Sequence, residues 1–373
     1  MSATVRQALA IAVGARVPVL LWGGPGLGKT SAVREMAEAA GLPCETVIAS
    51  IREPSDFAGL PVVSDDGATV RFAPPNWAHR LAATGRGVLF LDEISTAPPA
   101  VQAALLRVVL ERTVGDLSLP AAVSVVAAAN RPEEAADGWD LSPPLANRFC
   151  HLEWDLSSTE WADGLLGGFS HYPVPNLEPT YLEAEVASAR GIVGAFVRGR
   201  PHLLHAHPGD ETGAGRAWPS PRSWDMAARL IAASVLSSAP DLVLASLVVG
   251  AVGGGAAAEF LAWREDLDLP DPEAVLRDPQ SFRLPERGDR AYAALAAVTA
   301  AVLADNSPQR WEAAWRAIAA GTSDRHGDVA VAAVRSLISH RPENAIPPGE
   351  VLAQMAPLLR TAGLFDRLTA NRP

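Results

Sequence analysis

A chain of 373 residues, 49% hydrophobic and 20% charged, can bury a large core and is long enough for two or three domains. Its 42 acidic residues against 31 basic ones give a formal charge of −11 with no basic run to follow a phosphate backbone, so nucleic acid is not the default partner. Two cysteines, Cys44 and Cys150, exclude a disulfide framework and suit a reducing compartment.

The opening segment, MSATVRQALAIAVGARVPVLLWGG, has arginines interrupting its apolar stretch and lacks the ordered regions of a signal peptide, so a cytoplasmic location is the expectation. Residues 17–22, VPVLLW, read as a short strand. A glycine-rich loop and then a helix stopped by Gly41 follow. The loop is Gly23, Gly24, Pro25, Gly26, Leu27, Gly28, Lys29, Thr30 and Ser31, and it matches G-x-x-x-x-G-K-[ST]. In that motif backbone N–H groups wrap a triphosphate at a helix N-terminus, and glycine lets the backbone approach the oxygens. Lys29 is the one lysine among the 31 basic residues. A compact ammonium fits between β and γ phosphates, where a planar guanidinium is too wide.

The segment VVSDDGATVRF reads as a hairpin with Asp66 and Gly67 at its tip and β-branched residues on either side. Residues 87–112 then give four apolar residues, Asp92, Glu93 and a helix. At a strand's carboxyl end Asp92 can hold Mg²⁺ through water, with Thr30 as the other protein ligand. Glu93 is placed to orient and polarise an attacking water. A third strand, 122–130, ends at Asn130, which either contacts that water or the γ-phosphate, or starts the turn at Arg131 and Pro132. Arg148 precedes another short apolar segment and by itself reads as a surface charge.

This order of motifs resembles the AAA+ ATPases, and among them the MoxR-type group. GGPGLGKT looks like Walker A, VLFLDE like Walker B, AAAN like a sensor 1 strand ending at Asn130, and LANRF like an arginine-finger segment with Arg148. WPSPRSWDMAARL, 218–230, looks like the start of a helical lid with Arg222 at the sensor 2 position. The helix and short hairpin of EISTAPPAVQAALLRVVLERTVGDLSLP are especially MoxR-like, and the segment near 56–75 looks like the family's insert in its second helix.

The resemblance implies an α/β class: a P-loop AAA+ αβα parallel-sheet core at 1–155 with its hairpin insert, an all-α lid within 156–265 after a connecting segment, and a helical C-terminal region over 266–373. It also implies ATP and Mg²⁺ as cofactors and ATP hydrolysis in a homo-oligomeric ring, a hexamer. Lys29, Thr30, Asp92, Glu93, Asn130 and Arg222 would come mainly from one subunit and Arg148 from its neighbour, with cis or trans action of Arg222 left open. The implied partner is a client or adaptor protein, such as a von Willebrand factor A domain protein, met through the insert. Two other classes remain: a nucleic-acid-directed motor, such as a restriction-type GTPase or helicase loader, and a non-hydrolysing nucleotide switch.

Three further stretches carry expectations. His202, His205 and His207 stand close together, but the lack of Cys and acid ligands at suitable spacing favours a helix ending at Pro208 over a metal site. The uncharged run 242–258 is too short and glycine-rich to span a membrane and reads as a buried helix hairpin. After a proline- and charge-rich linker at 264–290, alanine-rich helical patterns cover 289–305, 308–320, 327–340 and 349–361.

Overall fold

The computed structural model describes residues 2–65, 67–131, 139–207, 215–322, 327–343 and 345–369. The chain divides into two compact units, Met1–Leu177 with Leu203–Ala258, and Glu178–His202 with Glu259–Pro373.

The first unit begins with α1 (Ser2–Gly14), β1 (Val19–Trp22), α2 (Lys29–Ala39), β2 (Cys44–Ile48) and α3 (Ser55–Ala58). A hairpin follows, β3 (Leu60–Val63) and β4 (Val70–Ala73), then α4 (Asn76–Thr84), β5 (Arg86–Asp92) and α5 (Pro99–Glu111). A second hairpin, β6 (Thr113–Val114) and β7 (Leu117–Ser118), precedes β8 (Ala122–Ala129), α6 (Pro143–Ala146), β9 (Cys150–Glu153) and α7 (Ser158–Gly167). α8 (Pro179–Gly199) belongs to the second unit; the chain returns for α9 (Pro221–Leu236) and α10 (Asp241–Val252).

Five strands form a parallel sheet in the order β2-β5-β8-β1-β9. All four residues of β1 and seven of the eight in β8 are buried, the continuous apolar reading of strands covered on both faces. Alternation sorts the two faces. Leu20, Trp22, Leu89, Leu91, Val125 and Ala127 share a core with Trp77 of α4, Leu105 of α5 and Leu145 of α6. The intervening residues face α1 and α2, where Ser124 Oγ donates to the Val13 carbonyl at 2.9 Å.

Because the strands run one way, their carboxyl ends open on one edge. The register puts Trp22 opposite both Ala129 and Glu153, and Asp92 opposite Ile48. The residues just beyond, Gly23, Asn130 and Trp154, therefore stand level with one another.

The insert is an antiparallel pair with Val63 opposite Val70. Of its expected tip, Gly67 has φ 68° while Asp66 lies outside the described residues. β6 and β7 brace its base: the Asp116 N–H donates to Phe72 O at 2.9 Å, and Asp116 Oδ2 accepts from the Phe72 N–H at 2.7 Å. One strand face of the insert, Val63, Val70 and Phe72, remains exposed.

Ser220 and Ser223 form a capping box at the start of α9, with Pro221 at its first position, so Arg222 sits within the first turn. The apolar run 242–258 divides at Gly253 between α10 and α11 (Gly254–Glu265). Among the described residues no helix is long and apolar enough to cross a membrane.

The second unit joins α8 to α12 (Pro272–Arg277), α13 (Gly288–Ala304), α14 (Pro308–Gly321), α15 (Gly327–Ser339), α16 (Gly349–Thr361) and α17 (Phe365–Thr369). Leu295, Trp311, Trp315, Ile318, Leu337 and Leu359 lie in its core. α8 packs along α13, so the stretch 156–217 is shared between the two units. α8 stops at Gly199, well short of the helix end expected at Pro208, which lies outside the described residues. A single 3-10 turn, Pro201–Leu203, follows it.

Candidate functional site: a phosphate loop at three strand ends

The loop between β1 and α2 is shaped by two kinds of glycine. Gly23 is a close-approach position: a Cβ there would stand 2.4 Å from the Trp154 carbonyl oxygen. Gly28 caps α2 in the left-handed region at φ 79°, which a side chain rarely adopts. Lys29 opens the helix and turns back across the loop. Its side chain is nearly buried, and Nζ donates to Gly23 O at 2.6 Å, Gly24 O at 2.9 Å and Asn130 Oδ1 at 3.2 Å. An ammonium with three donors can satisfy all three oxygens.

Thr30 Oγ1 donates to Asp92 Oδ2 at 2.8 Å, joining the first turn of α2 to the end of β5. The other oxygen, Asp92 Oδ1, accepts from the Glu93 N–H at 3.0 Å. That bond accompanies a left-handed Glu93 backbone at φ 57°, a conformation that costs a non-glycine residue energy and collects at functional positions. Ser50, two residues beyond β2, donates to Glu93 Oε2 at 2.5 Å. Ser95 Oγ accepts from the Asn130 N–H at 3.2 Å and so ties the segment after β5 to the end of β8.

Two hydrogen-bonded sets thus meet at the first turn of α2, Lys29 with Asn130 and Thr30 with Asp92 and Glu93. The Thr30 hydroxyl and the Asp92 carboxylate offer adjacent hard oxygens, the donor type that Mg²⁺ takes, so the residues present fit that ion.

Arg148 and Arg222 form a second group. Asn147, which is buried, donates from Nδ2 to Trp218 O at 3.0 Å and accepts from Ser220 Oγ at 2.7 Å. These bonds fix the LANRF turn to the entry of α9 and bring two guanidinium groups into range. Burial and then the Arg222 charge push Arg148 below the usual arginine value. Arg148 also donates to the Pro144 carbonyl. None of the described hydrogen bonds or ion pairs of Arg148 or Arg222 reaches the Lys29 group.

Between the two groups lies a buried pair. Trp22 Nε1 donates to His151 Nδ1 at 2.8 Å, and His151 Nε2 lies 2.9 Å from Ala146 O. Accepting from the indole leaves the proton on Nε2, the neutral tautomer. Complete burial lowers the His151 pKa to about 4, with the Arg216 charge adding to the shift and the Ala146 carbonyl opposing it. Arg216 lies 4.1 Å from the centroid of the Trp22 ring and pairs with Glu153 at 2.5 Å.

The histidine cluster assembles differently. His205 and His207 stand edge-on to Trp218, with centroids 5.4 and 4.8 Å away. Among the described residues no three His, Cys, Asp or Glu side chains group closely enough to hold a metal.

Sequence reasoning missed Ser50, Ser95, Asn147 and Trp154. The available signal was register: Ser50 lies just past β2, at the same open edge as Asp92.

The model of the AAA domain (dynein-related subfamily) matches residues 18–149, a span that runs from β1 to the residue before β9. That stretch is similar to the AAA domains of this subfamily. Within the chain, 107 residues are 36% identical to Protein MoxR of Methylorubrum extorquens. The match takes in 28% of this chain and 30% of that relative's length, so the chain spans under a third of the curated protein it matches. A solved structure from Cytophaga hutchinsonii, provisionally named an ATPase, aligns over 70% of this chain and 88% of its own at 15% identity with a TM-score of 0.41. The matched span contains Lys29, Thr30, Asp92, Glu93, Asn130 and Arg148; Arg222 lies beyond it.

Proposed function

We propose that this chain is an ATPase that cleaves the β–γ phosphoanhydride of ATP and works as a ring, a hexamer, coupling turnover to remodelling of a partner protein. The observation that carries the reading is that the first turn of α2 reaches the ends of two neighbouring strands, Lys29 bonding Asn130 after β8 and Thr30 bonding Asp92 of β5, which in turn holds Glu93.

The N–H groups of 23–31 would hold the triphosphate, and Lys29 would exchange its loop carbonyls for β and γ oxygens. Thr30 and Asp92 would hold Mg²⁺, which when bound offsets charge on those phosphates. Glu93 would accept a proton from the attacking water, and Asn130 would orient that water or the γ-phosphate. Glu93 favours hydrolysis over a pure nucleotide switch, which has no use for a general base.

Arg148 and Arg222 would act together on the nucleotide of the neighbouring subunit. Two cations held side by side by Asn147 and Ser220 repel, and an anion placed against both relieves that repulsion. This reading assigns Arg222 to trans action alongside the finger. The insert, with Val63 and Val70 exposed on a braced hairpin, would meet the client or an adaptor such as a von Willebrand factor A domain protein.

The test is Glu93→Gln. The protein should bind MgATP as wild type does and lose turnover by about 10²- to 10⁴-fold, because the cradle stays while the base goes. Full turnover in that variant would remove Glu93 from the chemistry.

A further inference from the structure

We propose that Trp154 is a positioning residue for the phosphate loop, holding it open for nucleotide from the strand on the far side of β1. The proposal rests on the nucleotide reading given above. Trp154 follows β9 directly and is buried. It meets the chain at three points along residues 22–27. Its N–H donates to Trp22 O at 2.6 Å, its carbonyl oxygen lies where a Gly23 side chain would begin, and its indole Nε1–H donates to Leu27 O at 3.0 Å.

The third contact bears on binding. A trans peptide is planar, so its C=O and the next N–H point in opposite directions. By drawing the Leu27 carbonyl toward β9, the indole turns the Gly28 N–H the other way. A phosphate cradle needs its amide hydrogens turned inward and its carbonyls outward. The peptide between Leu27 and Gly28 would otherwise be free to flip, because a flip turns ψ of Leu27 and φ of Gly28, and Gly28, at φ 79° with open space beside it, takes either sign of φ without steric cost. The indole removes that freedom before ligand arrives. The Arg6 guanidinium of α1 lies over the Trp154 ring, 4.9 Å from its centroid, and helps to hold the indole in place.

The experiment uses the full-length chain and the Trp154→Phe variant, which keeps a buried ring and every backbone contact but loses the N–H. MgATP affinity should fall about five- to tenfold, the scale of one hydrogen bond, while kcat at saturating ATP stays within about twofold. Melting of the nucleotide-free proteins should agree within a few degrees. Equal MgATP affinity in the two proteins, or a melting loss that accompanies the affinity loss, overturns the proposal. A second readout needs no mutant to bind: in wild type the Trp154 indole ¹H–¹⁵N signal, identified by its absence from Trp154→Tyr, should shift on adding MgATP and stay still on adding Mg²⁺ alone. An indole signal that ignores MgATP also overturns it. Failure of wild type to bind MgATP would instead sink the function proposed above.

Discussion

Ser50 holds Glu93: its hydroxyl donates to Glu93 Oε2 at 2.5 Å, and the acid's backbone is pinned at φ 57° by Asp92. A carboxylate oxygen that already accepts from a hydroxyl is held in one direction and has a lone pair taken, so it is less free to turn to an attacking water. Ser50 also lies on the path from β2 through α3 to the insert hairpin, so a load on the hairpin has a short route to this bond.

Ser50→Ala should therefore raise basal ATP turnover, by about two- to tenfold for one charged-acceptor bond, with MgATP affinity unchanged. Steady-state kinetics decide the matter. A fall in kcat would mean that Ser50 helps to aim Glu93 rather than to restrain it.

The paired arginines give a complementation result. Lys29→Ala and Arg148→Ala proteins should each be nearly inactive, because the finger arginine alone supplies about 10³- to 10⁵-fold in comparable phosphoryl transfer. Mixed subunits contain interfaces in which a wild-type loop faces a wild-type arginine, and turnover should return in part. On the trans reading proposed for both arginines, Arg222→Ala mixed with Lys29→Ala should behave in the same way, since the Arg222 charge lies close to Arg148. No rescue at any ratio, in mixtures shown by mass measurement to exchange subunits, would place the arginines in cis or in a structural role.

How much of this was legible in the sequence follows from how local each signal is. The loop at 23–31 and the acids at 92 and 93 are contiguous, and the strands around them are continuous apolar runs, so both chemistry and core stand in linear order. The helices of the second unit also show, because the alanine-rich stripe of α14 and the Ser307 cap preceding Pro308 are local. Other features depend on partners far along the chain. Ser50 meets Glu93 through the β2–β5 register, Trp154 reaches Leu27 across 127 residues, and Asn147 meets Ser220 across 73. α7 offered no apolar stripe pointing inward, since Trp161, Leu165 and Leu166 are all exposed and only its Gly164 is buried. That α8 packs with α13, about a hundred residues later, leaves no local signal in the sequence.

The buried Trp22–His151 pair makes stability depend on pH in one direction. The folded pKa, about 4, is below the ordinary value of 6.5, so the unfolded chain takes up the proton first as pH falls. The contribution is fully present above pH 6.5 and is lost as pH drops toward 4, by about 3 kcal/mol in total. Gln at this position can still hydrogen-bond but does not titrate. Urea unfolding at fixed pH values should show a shallower fall for His151→Gln than for wild type across that interval; parallel curves would mean that His151 is not held neutral.

The single lysine allows the nucleotide contact to be tested without mutation. An amine-selective reagent can reach only Lys29 and the N-terminus, so labelling followed by peptide mass analysis reports one side chain. Nζ is drawn into the loop by Gly23 and Gly24 carbonyls, and labelling should be slow in the free protein. MgATP should protect further, and loss of nucleotide binding should track the extent of modification. Lys29→Arg separates charge from shape: the planar fork keeps the charge but cannot contract onto two carbonyls and Asn130 in a loop this closed, so MgATP binding should fall by at least about tenfold. A protein fully labelled at Lys29, or carrying arginine there, that binds and hydrolyses MgATP at the wild-type rate would show that this lysine does not hold the phosphates.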